Sequence, residues 1–495
     1  MKNFILAIDQ GTTSTRAVIF DREARIQAVA QKELQLTYPQ NGWVEQDPHD
    51  IWRDTKYVCR KAIDQAEISP SDIAAIGVTN QRETVILWDK NNGDLIGSAI
   101  VWQDRRTAAD CTKLKEDGHE ELFRKKTGLL LDPYFSGTKL RWLLDNVEGA
   151  RAAAEKGDLI CGTVDTYILW RMTGARSHVT DATNASRTLL YNIVEGGWDD
   201  ELLKILDIPK SLLPEVKDSS ALFGMSAEKF LGVEIPVTGV AGDQQAALFG
   251  QACFEKGMIK STYGTGCFAL KNIGDSFALS KHNLLTTIAY QLDGKVTYAV
   301  EGSIFIAGAA VQWLRDGLKV IAHAAKSEEH ARRLSDNGGV YMVPAFTGLG
   351  APYWDPDARG ALLGITRDTT LDHIIRAALE AQAYQTKDLI GAMVEDSGVE
   401  ISEIRIDGGM VENNWMCQFL ADMTGCTVNR PQIIETTALG AAYLAGLAVD
   451  FYDSTKQISE NWQLSRSFTP KISDGERDEL YAGWKDAVSR VLSKN

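Results

Sequence analysis

Three short stretches of this chain gather the side chains needed to move a phosphoryl group onto a hydroxyl. The first is Asp9-Gln10-Gly11-Thr12-Thr13-Ser14-Thr15-Arg16. Glycine permits a tight turn whose backbone N–H groups point outward. Thr12, Thr13 and Ser14 add hydroxyl donors, and Arg16 adds fixed positive charge. Asp9 is suited to hold Mg2+, directly or through water. Read alone, the stretch is equally an ordinary hairpin turn. No G-x-x-x-x-G-K-[ST] occurs, so the P-loop solution is excluded. The second stretch is Gly242-Asp243-Gln244-Gln245. Asp243 can take the proton of an attacking hydroxyl, and Gln244 can hold a second hydroxyl. The competing reading is an Asp that caps a helix. The third is Gln81-Arg82-Glu83-Thr84, with Trp102 and Tyr134 downstream. Arg82 donates and Glu83 accepts, so neighbouring hydroxyls of a polyol fit between them. A Trp face suits the C–H side of such a ligand. Singly, an Arg-Glu pair is more often a surface salt bridge and a Trp more often core.

A fourth set suits a nucleotide. Gly264-Thr265-Gly266 follows a strand-like run and can wrap phosphate. Gly308 and Gln312 lie one helical turn apart. Asp407-Gly408-Gly409 lets backbone pass close to a flat base, and Asn413 follows four residues later. Glycine pairs after strands are common turns. Their weight comes from occurring together with the hairpin and Asp243.

The elements that must position these groups alternate between strand and helix, which argues α/β. Phe4–Ile8 and Thr15–Phe20 read as strands of a hairpin around Gln10–Ser14. Asp47-Pro48 opens a helix whose apolar face is Ile51, Trp52, Val58, Ala62 and Ile63. Ile73–Val78 and Ala99–Trp102 read as buried strands. A second cycle starts past the middle. Ile235–Val240, Met258–Tyr263 and Ile404–Ile406 are strand-like, and each runs into one of the polar, glycine-bearing ends above. Helices are expected over Gly308–Leu318, from Leu371 to about Val394, and over Asn413–Thr424, which stops at Gly425. This restart places a domain junction near 245–255, dividing the chain into 1–248, with the phosphate hairpin, clamp and base, and 249–495, with the nucleotide set. Residues from about 452 onward carry no readable chemistry.

Of the 495 residues, 44% are hydrophobic and 24% charged, which suits a globular protein of two to four domains. The formal net charge of -15 repels polyanions, so nucleic acid and anionic membrane surfaces are not expected partners. The seven cysteines are odd in number and none sit in C-x-x-C, which suits reduced thiols in a cytoplasmic protein. The N-terminal run Met1–Asp9 meets a charge, at Asp9, too early for a signal peptide, and the apolar stretch Ala438–Val449 is too short to span a bilayer.

Taken together, these residues resemble the FGGY carbohydrate kinase family, and within it the members that phosphorylate glycerol. The resemblance runs from about residue 4 to about residue 450. It is carried by Tyr134-Phe-Ser-Gly-Thr-Lys-Leu-Arg-Trp-Leu-Leu-Asp-Asn146 and by the stretch from Gly360 through His373 to Glu380. Gly77–Thr84, Gly242–Gly250 and Pro344–Trp354 are similar to the glycerol branch in particular. The resemblance implies two actin-like (ribonuclease-H-like) domains flanking a catalytic cleft. It implies glycerol held by Arg82, Glu83, Tyr134, Asp243 and Gln244, with Trp102 and Phe268 as an apolar wall. It implies ATP on Thr12, Thr13, Ser14, Arg16, Thr265, Gly308, Gln312, Gly409 and Asn413, and Mg2+ near Asp9 and Asp243. The implied reaction is direct in-line transfer to give sn-glycerol 3-phosphate, the first step of glycerol catabolism, with Asp243 as general base. A cytoplasmic homo-oligomer, dimer or tetramer, is expected. A kinase of another small sugar or polyol (a ketopentose, a tetritol, gluconate) is the near alternative, and an actin-like regulatory ATPase the distant one. Two positions depart from the family: Asp104 stands where many members have Cys, and Ala182 where many have an aromatic residue. Gly224–Glu234 lacks both the family's fructose 1,6-bisphosphate pattern and its phosphorylated histidine, so neither form of regulation is expected through this loop.

Overall fold

The run Phe4-Ile5-Leu6-Ala7-Ile8 meets no polar residue before Asp9, as suits a strand buried on both faces. In the computed structural model it forms the strand Phe4–Gln10, inside a six-stranded sheet. The structure describes residues 2–355 and 357–493; Met1, Pro356 and the last two residues of the expected second domain lie outside the described residues. The expected hairpin forms, with Asp9 opposite Arg16 and Gln10 opposite Thr15. Across the sheet the order is Ser220–Met225, Pro236–Gly242, Ile73–Asn80, Phe4–Gln10, Ser14–Phe20, Ile26–Glu33. Pro236–Gly242, Ile73–Asn80 and Phe4–Gln10 run parallel, with Gly242, Asn80 and Gln10 in register. The residues that follow them, Asp243, Gln81 and Gly11, therefore leave the sheet side by side at its carboxyl edge, where open α/β sheets bind ligands.

The second half repeats the plan. An antiparallel set of Leu285–Leu292, Lys295–Ile304, Cys267–Gly274 and Met258–Tyr263 adjoins the parallel strands Glu403–Asp407 and Val428–Pro431. Thr262 is in register with Asp407, and Phe268 with Ser303. The turn at Thr265, the segment after Ile304 and Gly408-Gly409 thus share one sheet edge. Two such sheets with helices on their faces make the actin-like α/β architecture expected.

Local chemistry accounts for the helices that frame the site. Asp47 caps Pro48–Gln65 by accepting from the His49 N–H at 2.8 Å, and the predicted apolar face is buried. Asn413 caps Asn414–Thr424, which ends at the left-handed Gly425. The apolar run at Ala438 lies in the buried helix Thr436–Leu447. That helix belongs by sequence to the second half, yet it packs on the first sheet and against the helix Asp243–Gly250. A Cβ on Gly440 would stand 1.8 Å from the Ala246 carbonyl oxygen, and one on Gly250 2.0 Å from that of Thr436. The two helices cross with their backbones in contact. They share a core with Ile5, Val18 and Phe20 on one side and Leu270, Ala289 and Ala299 on the other. Packing therefore crosses the expected division at 248/249.

Two expected elements differ from what forms. The helix expected over Gly308–Leu318 is regular only to Gln312 and widens into a π-helical turn, Trp313–Gly317, with the Trp313 ring lying against Gly317. The strand expected over Ala99–Trp102 pairs only at Ala99–Ile100, because the Val101 N–H goes to the Val44 carbonyl and the Trp102 N–H to the Thr84 hydroxyl. After residue 452, Leu464–Phe468 extends the second sheet, and the helix Asp474–Ser489 docks through Tyr481 and Trp484, both donating to Asp388. Among the described residues no helix is long and apolar enough to cross a membrane, and the cysteines are unpaired.

Candidate active site

The first sheet edge carries the acid-base and acceptor groups. Asp243 is the first residue of its helix. Its Oδ1 accepts from the Gln244 N–H at 2.7 Å and lies 3.2 Å from Arg82 Nε. Its Oδ2 has no partner among the described residues, and the side chain is about 30% exposed. Arg82 and Glu83 sit in the turn between Ile73–Asn80 and Val85–Asp89. Glu83 has φ +62°, a left-handed backbone that costs an L-residue about 1–3 kcal/mol. Both side chains are buried.

Their partners did not come from the sequence. Arg82 donates through Nη1 and Nη2 to Glu301, at 2.6 and 2.9 Å, and through Nη1 to Gln245 at 3.1 Å. Arg187 donates to Glu83 at 2.7 Å and to Glu301 at 3.1 Å. Burial pushes the Glu301 carboxyl up, but the Arg187 and Arg82 guanidiniums outweigh it and bring it down to about 2. For Glu83 burial wins over the same two guanidiniums, and its carboxyl stays above the usual range. The difference is one of bonding, since Glu301 takes three guanidinium bonds and Glu83 one. A charged residue inside an otherwise apolar strand, as in Tyr298-Ala-Val-Glu301, was the available signal: such a group requires a partner. Lys260, in Met-Ile-Lys-Ser-Thr-Tyr263, gives the same signal. It is buried and donates to the Gln244 side-chain oxygen and to the Phe268 carbonyl, and burial lowers its pKa. With that oxygen occupied, the Gln244 NH2 is the end left for a ligand oxygen.

The apolar wall is joined to the phosphate turn. Trp102 packs edge-on against Tyr134, with ring centroids 5.5 Å apart, and its Nε1–H donates to the Thr12 hydroxyl at 2.9 Å. Lys139 is buried beneath and donates to the Tyr134 carbonyl at 2.6 Å; burial lowers its ammonium pKa to about 7. Phe268, half-buried, comes from the second sheet. In the turn, the Gly11 N–H donates to the Ser14 carbonyl at 2.9 Å, and Thr13 is exposed. Arg16 pairs with Glu435 at 2.7 Å. Asp9 lies beneath, its carboxyl pushed up to about 7 by burial; Arg16 lowers it, while Asp243 and Glu435 raise it further.

The second sheet edge offers mainly backbone, because the Asp407 carboxylate at its end already accepts from Gln251, Thr262 and Thr436. The Ala307 and Gly308 N–H groups donate to the Thr265 and Gly264 carbonyls, which holds the Gly264-Thr265-Gly266 turn under the helix start. Gln312, one turn on, is exposed. Gly408 has φ +90°, and a Cβ there would lie 2.5 Å from the Tyr263 carbonyl oxygen. Gly409 faces open space. Asn413 is committed to its cap, accepting from the Met416 N–H at 2.9 Å, and its NH2 lies 3.4 Å from Ser327. An open concavity of about 740 Å3 lies just past Gln312, lined by Arg315, Lys319 and His323; no base or clamp residue lines it.

Two carboxylates, Asp9 and Asp243, are what the site offers a cation. Among the described residues no group of three or more His, Cys, Asp or Glu gathers to cage a metal. The pair suits Mg2+, which keeps waters and is held by one or two carboxylates plus substrate phosphates. The departures from the family pattern lie elsewhere. Asp104 accepts from the Val44 N–H at 2.6 Å and from Arg106 at 2.8–2.9 Å, and Arg106 in turn lies over the Trp43 ring. Ala182 is buried at the start of a short helix.

The description "FGGY family of carbohydrate kinases, N-terminal domain" fits residues 4–250, and its C-terminal counterpart fits residues 259–449. The chain is 59% identical to "Glycerol kinase 1" of Pseudomonas aeruginosa and 56% identical to "Glycerol kinase" of a Geobacillus species, covering 100% of both chains in each comparison. A crystal structure of Plasmodium falciparum glycerol kinase with ADP superposes with a TM-score of 0.94 at 36% identity, covering 100% of this chain and 99% of that one. A gluconate kinase from Lactobacillus acidophilus shares the fold at a TM-score of 0.89 and 22% identity, covering 99% of this chain and 98% of that one. The chain belongs to the FGGY family of carbohydrate kinases.

Proposed function

We propose that this carbohydrate kinase transfers the γ-phosphoryl group of ATP to a terminal hydroxyl of glycerol, giving sn-glycerol 3-phosphate. The observation that carries the mechanism is the state of Asp243. One carboxylate oxygen is tied to Gln244 and Arg82, and the other is free at the sheet edge. The free oxygen accepts the hydroxyl proton as that hydroxyl attacks in line. Arg82, Glu83 and Gln244 orient the acceptor, against a wall of Trp102, Tyr134 and Phe268. Thr12, Thr13, Ser14 and Arg16 receive phosphate from one side and the Thr265 turn from the other. Gly308, Gln312, Gly409 and Asn413 hold the rest of the nucleotide. Asp9 and Asp243 would hold Mg2+, which when bound neutralises charge on the phosphates. Positioning and charge stabilisation carry most of such a transfer. Identity of 56–59% to glycerol kinases over the full chain supports glycerol as the acceptor. The proposal keeps the cytoplasmic homo-oligomer and the division near 248/249.

The test is a coupled ADP-release assay across a panel of polyols and sugars. Glycerol is expected to give the highest kcat/KM. A higher value for xylulose or erythritol would overturn the assignment, and ATP hydrolysis indifferent to every polyol would return the chain to the regulatory ATPase class.

A further inference from the structure

Glu301 lies on the second sheet, yet its side-chain hydrogen bonds go to the first half. Arg82 and Arg187 both converge on it, 219 and 114 residues away in sequence. Arg187 then reaches on to Glu83. The four side chains form a closed, buried set of two positive and two negative charges. Burying four charges costs more than packing apolar residues of the same volume, so stability alone does not account for them.

Counting donors shows what the set achieves. Arg82 has five N–H groups. Two go to Glu301 and one to Gln245, and Nε faces Asp243. One Nη2 hydrogen remains without an acceptor among the described residues. Glu83 keeps Oε2 without a partner among the described residues, since Arg187 takes Oε1. The set therefore holds the clamp with one donor and one acceptor unspent, a match for the O–H groups of a vicinal diol. Without Glu301, Arg82 can swing fully onto Asp243 or Glu83 and spend both. Arg187 also backs the aromatic wall, its guanidinium carbon 5.9 Å from the Tyr134 ring centroid and 5.3 Å from that of Phe135. It buries an Nη1 that has no hydrogen-bond partner among the described residues, which a purely stabilising residue would satisfy.

We infer that Glu301, acting with Arg187, is a positioning residue for the acceptor: from the opposite half of the molecule it fixes Arg82 and Glu83 in the geometry that receives adjacent hydroxyls. The inference rests on the proposed reading that those two residues clamp the polyol.

Steady-state kinetics of Glu301→Gln, Glu301→Asp and Arg187→Lys test it, with Tm measured for each. Glu301→Gln keeps shape and loses charge. It is expected to raise the glycerol KM by about tenfold or more while moving the ATP KM by less than about threefold. Glu301→Asp is expected to recover most of the loss, and Arg187→Lys, which keeps charge but loses the fork, to move the glycerol KM in the same direction. A folded Glu301→Gln with an unchanged glycerol KM overturns the inference. So does a rise in both KM values together that the Asp variant does not relieve, because that marks a merely structural role. Should Glu301→Gln not fold, Arg187→Lys decides by the same split. Failure of the underlying reading looks different: a folded Arg82→Ala would itself leave the glycerol KM unchanged.

Discussion

The two sheet edges that carry the candidate residues are built in opposite ways. The first concentrates charge: Asp9, Arg82, Glu83, Arg187 and Asp243, with Glu301 reaching in from the second sheet. The second is nearly all backbone, with the turns at Gly264–Gly266 and Gly408–Gly409 and the helix start at Gly308. The contrast follows from the ligands proposed. A neutral polyol offers only hydroxyls, so it must be recognised by donors and acceptors at fixed angles, and a rigid ion network supplies those. A nucleotide brings its own charge and a flat base, so close-lying N–H groups and absent side chains suffice. Disturbing the first edge should therefore act through charge, and disturbing the second through volume.

The largest effect is expected at the free carboxylate oxygen. Asp243→Asn should lower kcat by about 10²–10⁴-fold and leave glycerol binding measurable. Turnover within about tenfold of the parent would mean that the base lies elsewhere. Next comes Arg82→Ala. The dipeptide alone suggests a KM effect on the polyol, but the structure demands more. Removing the guanidinium strands Glu301 without its bidentate partner in a buried site, and breaking one side of such a pair costs about 3–5 kcal/mol. A drop in Tm together with the KM rise is expected. An unchanged Tm would show that the network is looser than its distances indicate.

How far these groups were legible differs along the same line. Asp9 and Asp243 stand where an apolar strand runs into glycine and polar residues, and that boundary is local. The hairpin and the capped helix at Asp47 are local too, and both formed as expected. Glu301 is a single charged residue in an apolar strand, which says that a partner exists and nothing about which one, while Arg187, between Ser186 and Thr188, carries no such signal. Pairing across 114 or 219 residues is a property of the tertiary fold. The helix after Gly308 was legible until Gln312; the widened turn beyond it depends on where the Trp313 ring comes to rest. The crossing of Asp243–Gly250 with Thr436–Leu447 was likewise hidden, since Gly250 and Gly440 read singly as helix weaknesses and only together as a contact.

The volume side of the contrast is sharpened at Gly408. Its backbone lies at φ +90° and ψ 168°, a region essentially reserved for glycine. Gly408→Ala is expected to cost about 1–3 kcal/mol and to raise the ATP KM while leaving the glycerol KM nearly unchanged. An effect confined to glycerol would reverse the proposed division of labour between the two edges.

The smallest expected effect lies where the edges meet. Trp102 stands in the acceptor wall and donates to Thr12 in the phosphate turn. Trp102→Phe keeps an aromatic face against Tyr134 and removes only that hydrogen bond, worth about 0.5–1.5 kcal/mol. Because the bond links wall to turn, both KM values should rise by a few-fold, and glycerol and ATP should lose some of their mutual influence on binding. A change in the glycerol KM alone would mean that Trp102 serves only as a wall and that Thr12 is held without it, by the bond from Gln46 to its carbonyl at 2.6 Å.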